Sequence, residues 1–122
     1  MHGARVEHGD NYRVLVVKKG SGIDLIAAER ERQVSAEGWT PEHNDDHDAG
    51  EIAGAASAYT LSAACLLNPY HGTPLNEPPE GWQWDASWWK PNMGDNPARD
   101  LAKSGALSAA EIDRMDRLER PW

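Results

Sequence analysis

Apolar and polar positions alternate with helical spacing along most of this chain, and the rhythm fails in one long stretch rich in proline and tryptophan. From Ser21 onward, Ile23, Ile26, Ala27 and Val34 fall on one side of a helix, and Glu29, Arg30, Glu31, Arg32 and Gln33 on the other. Ser21 can cap this helix, with Asp24 at its third position as a capping-box variant, and Gly38 stops it. A second helix starts at Thr40, the cap, and Pro41, whose missing N–H costs nothing at the first helical position. Glu42, Asp45, Asp46 and Asp48 then lie toward the positive end of the helix dipole. The pattern predicts that this helix runs past Glu51 through IAGAASAYTLSAACLL to Leu67. Its many alanines let another helix approach closely, while Ile52, Tyr59 and Leu66 supply bulk, so we expect it to be central.

Tyr12 to Val17 (YRVLVV) is short and β-branched and ends in Lys-Lys-Gly, which predicts one N-terminal strand. Between Asn68 and Pro97, Pro69, Pro74, Pro78, Pro79, Pro91 and Pro97 forbid a regular helix, and Trp82, Trp84, Trp88 and Trp89 fall within the same stretch. Such a loop persists only if its aromatics pack. A helix restarts at Ala98 behind Asn96 and Pro97, and the tetrad Ser108 to Glu111, flanked by Leu107 and Ile112, is itself a capping box, so Gly105 is expected to divide two helices. The expected fold class is mainly α: a compact bundle of three to four helices, with a short N-terminal β-strand and a Trp/Pro-rich loop packed on it. We read residues 1–122 as a single domain, divided into an arm (1–20), helices (21–67), the loop (68–97) and C-terminal helices (98–122). No internal repeat is visible.

A chain of 122 residues can bury about two-thirds of the surface its unfolded form exposes. Twenty acidic against twelve basic residues give a net charge of -8, which argues against a direct grip on nucleic acid and favours basic proteins or metal ions as partners. Cys65 stands alone and cannot form an intramolecular disulfide, and no basic, apolar leader opens the chain, so a cytoplasmic protein is expected. Ile52 to Leu67 is too short and too polar to span a membrane.

Ionisable residues crowd between Glu29 and Glu51. On a continuous helix, His43, Asp46, His47 and Glu51 would share a face, where imidazoles and carboxylates could hold Mg or Mn. His-x-x-x-His here is not the zinc-protease signature, because Asn44 stands where that motif needs its glutamate base. The alternative is that the acids only favour the helix dipole and the histidines hydrogen-bond locally. Arg30 and Arg32, with Gln33, could bind phosphate beside the Thr40 helix start, or pair with Glu29, Asp45 or Asp46. Trp88 and Trp89, with Asp45 and Asp48, form a candidate partner interface, since tryptophan often anchors interfaces; the other reading of the tryptophans is core packing in a chain without phenylalanine. If the stretch is extended, one of the two adjacent rings faces out. Trp39, just before the cap, suits a structural staple. Cys65 has no basic neighbour in sequence to activate it, and GSG at residues 20–22 is too short for a phosphate loop.

The segments ERERQVSAEGWTPEHNDDHDAGEIAGAASAY, WQWDASWWKP and RDLAKSGALSAAEIDRMDR resemble a family of small, mostly uncharacterised proteins encoded by bacteriophages and prophages, over about Leu25 to Arg117. The resemblance implies a phage-type setting and no particular activity. That family lacks a serine where Ser108 stands, which sets it against a helix break there. A fainter likeness joins RQVSAEGWT and the last segment to the ryanodine-receptor-type repeat, although the insertion from Pro41 to Ala98 is far longer than that module allows. Two functions are therefore expected. The first is a phage-encoded accessory protein that binds and inhibits a host protein, such as a basic, nucleic-acid-binding defence component, through an acidic and aromatic surface. The alternative is a metal-dependent nucleotide pyrophosphohydrolase similar to the helical MazG type, with Glu51 and Asp48 facing Asp100 or Glu111, although the paired ExxE and ExxD motifs of that type are not present in order. Dimerisation through the alanine-rich helix is open.

Overall fold

The computed structural model describes residues 20–72, 75–91 and 96–118, and the strand predicted at 12–17 lies outside them. The chain is mainly helical, and the described residues include no strand. Four α-helices follow in order: α1 (Gly22–Ser35), α2 (Pro41–Asp45), α3 (Glu51–Leu67) and α4 (Pro97–Arg117), with single 3-10 turns at Pro69–His71 and Ala86–Trp88. No helix among the described residues is long and apolar enough to cross a membrane.

α1 begins as its sequence predicts. The Ser21 hydroxyl accepts from the Asp24 amide (3.3 Å), and the Asp24 carboxylate reaches back to the Gly20 amide (2.9 Å), so two amides without intrahelical partners are satisfied. Its buried side is not the apolar stripe, however. Ile23 is 58% exposed, whereas Glu29 and Gln33 are the buried residues of the helix. The burial of Glu29 is tolerable because its carboxylate is held by Arg32.

The predicted helix from Pro41 to Leu67 is in fact two. Thr40 caps α2 by accepting from the His43 amide (3.2 Å), but the helix ends at Asp45. The chain turns through Asp46 to Ala49 and enters α3 at Gly50, whose φ of +84° is open to glycine at little cost. Gly50 is the N-cap and offers no side-chain capping bond, while Glu51, the first helical residue, accepts from the Ala49 amide of the turn before it (2.7 Å).

α3 and α4 form the main packed pair. Their contact is lined by small buried residues, including Ala55, Ala56, Ala63, Ala102, Ala106 and Ala110, which lets the two backbones come close. Polar bridges pin the pair: the Thr60 and Ser104 hydroxyls lie 2.6 Å apart, and Ser62 donates to the buried Asp100 carboxylate (2.9 Å). α4 is unbroken through Gly105, contrary to the expected division there. A Cβ at that glycine would meet Ile26 Cδ1 at 2.6 Å, so the residue admits α1 rather than ending a helix. α1 and α2 both pack on α4, and Arg117 at its end bonds Asp45 (2.6 Å) and the Pro41 carbonyl (3.2 Å).

The proline- and tryptophan-rich loop folds over this framework. Trp89 is buried and stacks on Tyr59 with ring centres 4.8 Å apart, and Trp82 meets its edge at 5.1 Å. Three of the loop's indole N–H groups find main-chain acceptors: Trp82 at Asp85, Trp84 at Glu51 and Trp89 at Leu75, all at 3.3 Å. In return the Tyr59 hydroxyl accepts from the Lys90 amide (3.1 Å), which ties the loop's far end to α3.

Candidate functional site

Between α1 and α3 lies a cleft with about 490 Å³ not filled by protein atoms, the open space at its mouth included. α4 supplies its base with Lys103 and Leu107, α1 one wall with Glu29 and Gln33, and α3 the other with Ala55 and Tyr59. Trp39, Trp82, Trp84 and Trp88 complete it from the connecting turn and the loop. The spacing of Ile26, Glu29 and Gln33 puts all three along one side of α1, so the residue that meets Gly105 also fixes which polar side chains face the cleft.

The tryptophans have distinct positions. Trp39 meets Trp84 at 5.0 Å and Trp88 edge-on at 6.4 Å, so the three rings form one connected group. Trp88 is 46% exposed at the lip, whereas Trp89, its neighbour, is 7% exposed. Of the two rings proposed for an interface, only Trp88 presents surface; the 3-10 turn that ends there, capped by Asp85 on the Ser87 amide (2.9 Å), points them apart.

Charge around the cleft is tightly paired on one side and sparse on the other. Arg32 binds Glu29 through two hydrogen bonds (3.0 and 2.6 Å) and Glu37 through a third nitrogen at 2.6 Å. Burial pushes the Glu29 carboxyl up, but the Arg32 hydrogen bond and charge, with the charges of Arg99 and Lys103, outweigh it and hold the group below its ordinary range. Lys103 has different company. Its ammonium donates to the Lys90 carbonyl (2.5 Å) and lies 5.3 Å from the centre of the Tyr59 ring. Burial lowers its pKa, only partly opposed by Asp100 and Glu29. Burial likewise pushes the Tyr59 phenol up to about 12, so it stays neutral.

The residues expected to hold a metal are arranged otherwise than on one helical face. His43 and His47 stack with ring centres 4.9 Å apart, and His47 continues onto Trp84 at 4.5 Å, so the histidines extend the aromatic group. His47 Nδ1 lies 3.3 Å from one Glu51 oxygen, while the other oxygen accepts from the Ala49 amide. These contacts, its own amide first among them, lower the Glu51 pKa. Asp46 is exposed. Among the described residues, no group of three or more His, Cys, Asp or Glu side chains is placed to hold a metal ion, because the break after Asp45 removes the shared helical face.

The remaining candidates divide similarly. Arg32 serves the Glu29–Glu37 pair, and Arg30 reaches Asp113 of α4 at 3.7 Å rather than the Thr40 helix start. Asp45 is occupied by Arg117, and Asp48 is exposed. Cys65 is buried and donates to the His71 carbonyl (3.3 Å). Sequence reading named Gln33 only for a phosphate and Glu29 only as an ion-pair partner, and it passed over Lys103. One signal was present: Lys103 falls three and four residues from Asp100 and Leu107, and so on the same face of α4 as those buried neighbours. No protein family, no curated protein and no solved structure matches this chain.

Proposed function

We propose that this chain is a phage-encoded accessory protein that acts in the host bacterial cytosol by binding and inhibiting a host protein, such as a defence-system component. The observation that carries this reading is the aromatic cleft with the half-exposed Trp88 at its lip. Rigid aromatic rings around a narrow apolar space suit the capture of one flat side chain from a partner, the arrangement that concentrates binding energy at interfaces. The net charge of -8 supports a basic partner, such as a nucleic-acid-binding protein, because it speeds encounter and repels nucleic acid itself. Glu42, Asp46 and Asp48 are exposed, and their neighbour in sequence His43 meets Trp39 at 5.0 Å. No observation among the described residues favours the metal-dependent nucleotide hydrolase.

The test is affinity capture from host lysate with the wild type and Trp88→Ala in parallel, followed by an activity assay on the purified partner. A host protein held and inhibited by the wild type should bind Trp88→Ala with a loss of about 2 kcal/mol or roughly thirtyfold. Equal retention and equal inhibition by both would refute the cleft as the binding element.

A further inference from the structure

Gln33 is 5% exposed and lines the cleft, and its Oε1 is buried without accepting a hydrogen bond from any described residue. Leaving a buried amide oxygen unpaired is costly, and native proteins keep few such groups. The main-chain carbonyl of the same residue is occupied: it accepts from the Trp39 amide (2.9 Å), which fixes the backbone of that tryptophan at the end of α1. A carboxamide with an open acceptor therefore shares the cleft with indoles that still show ring surface, since Trp39, Trp82 and Trp84 are only partly buried and Trp88 is exposed. We infer that the cleft binds an uncharged aminopurine, the adenine ring, and that Gln33 reads its exocyclic amine. This inference concerns a small ligand and does not rest on the host-protein reading.

Shape, charge and hydrogen-bonding pattern each select that class. The space of about 490 Å³ falls within the range of about 300–1,000 Å³ usual for small-molecule sites, and a flat base stacks on indole whatever its polar edge. The lining charges nearly cancel, Glu29 and Glu37 against Arg32, Lys90 and Lys103, and both carboxylates are bound to Arg32, so an uncharged ring disturbs none of these pairs. A carboxamide presents an acceptor beside a donor, and an amino group next to a ring nitrogen presents the reverse, which is why glutamine pairs with adenine through two hydrogen bonds. Gln33 Oε1 accepts from the exocyclic amine, and its Nε2 donates to N7.

The test is calorimetric titration of the full chain with adenine and, in parallel, with purine, the same ring without the amine. Adenine should bind saturably below about 1 mM and about tenfold more tightly than purine, because purine leaves the Gln33 oxygen unpaired. In Gln33→Leu, which replaces the amide by an apolar side chain of similar size and good helix propensity, adenine and purine should bind alike while the circular dichroism melt persists. The absence of saturable adenine binding to the wild type overturns the inference, and so does equal affinity of the wild type for the two rings. A preference for adenine that survives in Gln33→Leu overturns it as well, since the amine is then read elsewhere. The wild-type comparison decides the matter even if the variant folds poorly, and a failure there with capture of a host protein intact strikes this inference alone.

Discussion

Gly105→Ala is the substitution whose outcome most sharply separates packing from backbone effects. In an exposed helix interior, replacing glycine by alanine stabilises by about 1 kcal/mol. Gly105 is not such a place. Its new methyl would lie 2.6 Å from Ile26 Cδ1, 2.8 Å from Cγ1 and 3.3 Å from Cγ2, so one rotation of the outer methyl does not clear it. Ile26 is β-branched and stiff within α1, and forced overpacking costs about 1–3 kcal/mol. The balance is a net loss of about 1 kcal/mol, or roughly 4 °C in Tm for a chain of this size. In the Ile26→Ala background the obstruction is gone, and the same Gly105→Ala change should stabilise by about 1 kcal/mol. Chemical denaturation of all four proteins, followed by circular dichroism, gives the coupling directly. Stabilisation by Gly105→Ala in the wild-type background would show that α1 does not approach α4 there. Equal destabilisation in both backgrounds would place the cost in the backbone and restore a break at Gly105.

The two adjacent tryptophans should respond unequally: Trp89→Ala removes a buried ring stacked on Tyr59 and should cost about 3–5 kcal/mol in urea unfolding, while Trp88→Ala should cost under about 1 kcal/mol. Tyr59→Phe keeps the stack but leaves the Lys90 amide without its acceptor, so a loss of about 1 kcal/mol is expected by the same measurement. Glu29 should contribute to acid sensitivity. Its folded pKa lies below the ordinary 4.5, so its stabilising effect is complete above that value and is lost as pH falls through the lower folded value. Glu29→Gln should therefore flatten the fall of Tm on acidification below that point, and an unchanged profile would remove Glu29 from the account.

Helices were legible in this chain wherever local chemistry decided them. Ser21 with Asp24 and Thr40 with Pro41 mark starts that side-chain geometry realises, and the alanines of α3 announced its close packing. The readings that failed depended on partners distant in sequence. Gly105 looked like a stop because glycine is unfavourable in an isolated helix, and only the approach of Ile26 gives it another role. Gly50, seen as part of a continuing helix, sets a turn because its backbone is left-handed. The buried side of α1 was misjudged because Glu29 is sheltered by Arg32 and approached by Arg99 from another helix, and an apolar count cannot register compensated charge. For the site, the split between Trp88 and Trp89, expected only of an extended stretch, is set by a 3-10 turn, while the tryptophan-rich loop was legible as a packed element. The lysine at the base of the cleft was not, since a cation in α4 draws no notice until the loop is folded over it.

α4 has a consequence for how the protein is made. Helices α1, α2 and α3 each pack against α4, and the bridges that hold them to it begin at Asp100 and Arg99 and end at Arg117. The helix they share leaves the ribosome after all three of them. Until it emerges, the alanine-lined side of α3 and the Ile26 side of α1 have no surface to meet, so vectorial synthesis leaves these helices exposed and unassembled until α4 follows. Stop codons or proteolytic cuts ahead of Asp100 should then give no folded fragment, because each earlier helix loses its common neighbour at once.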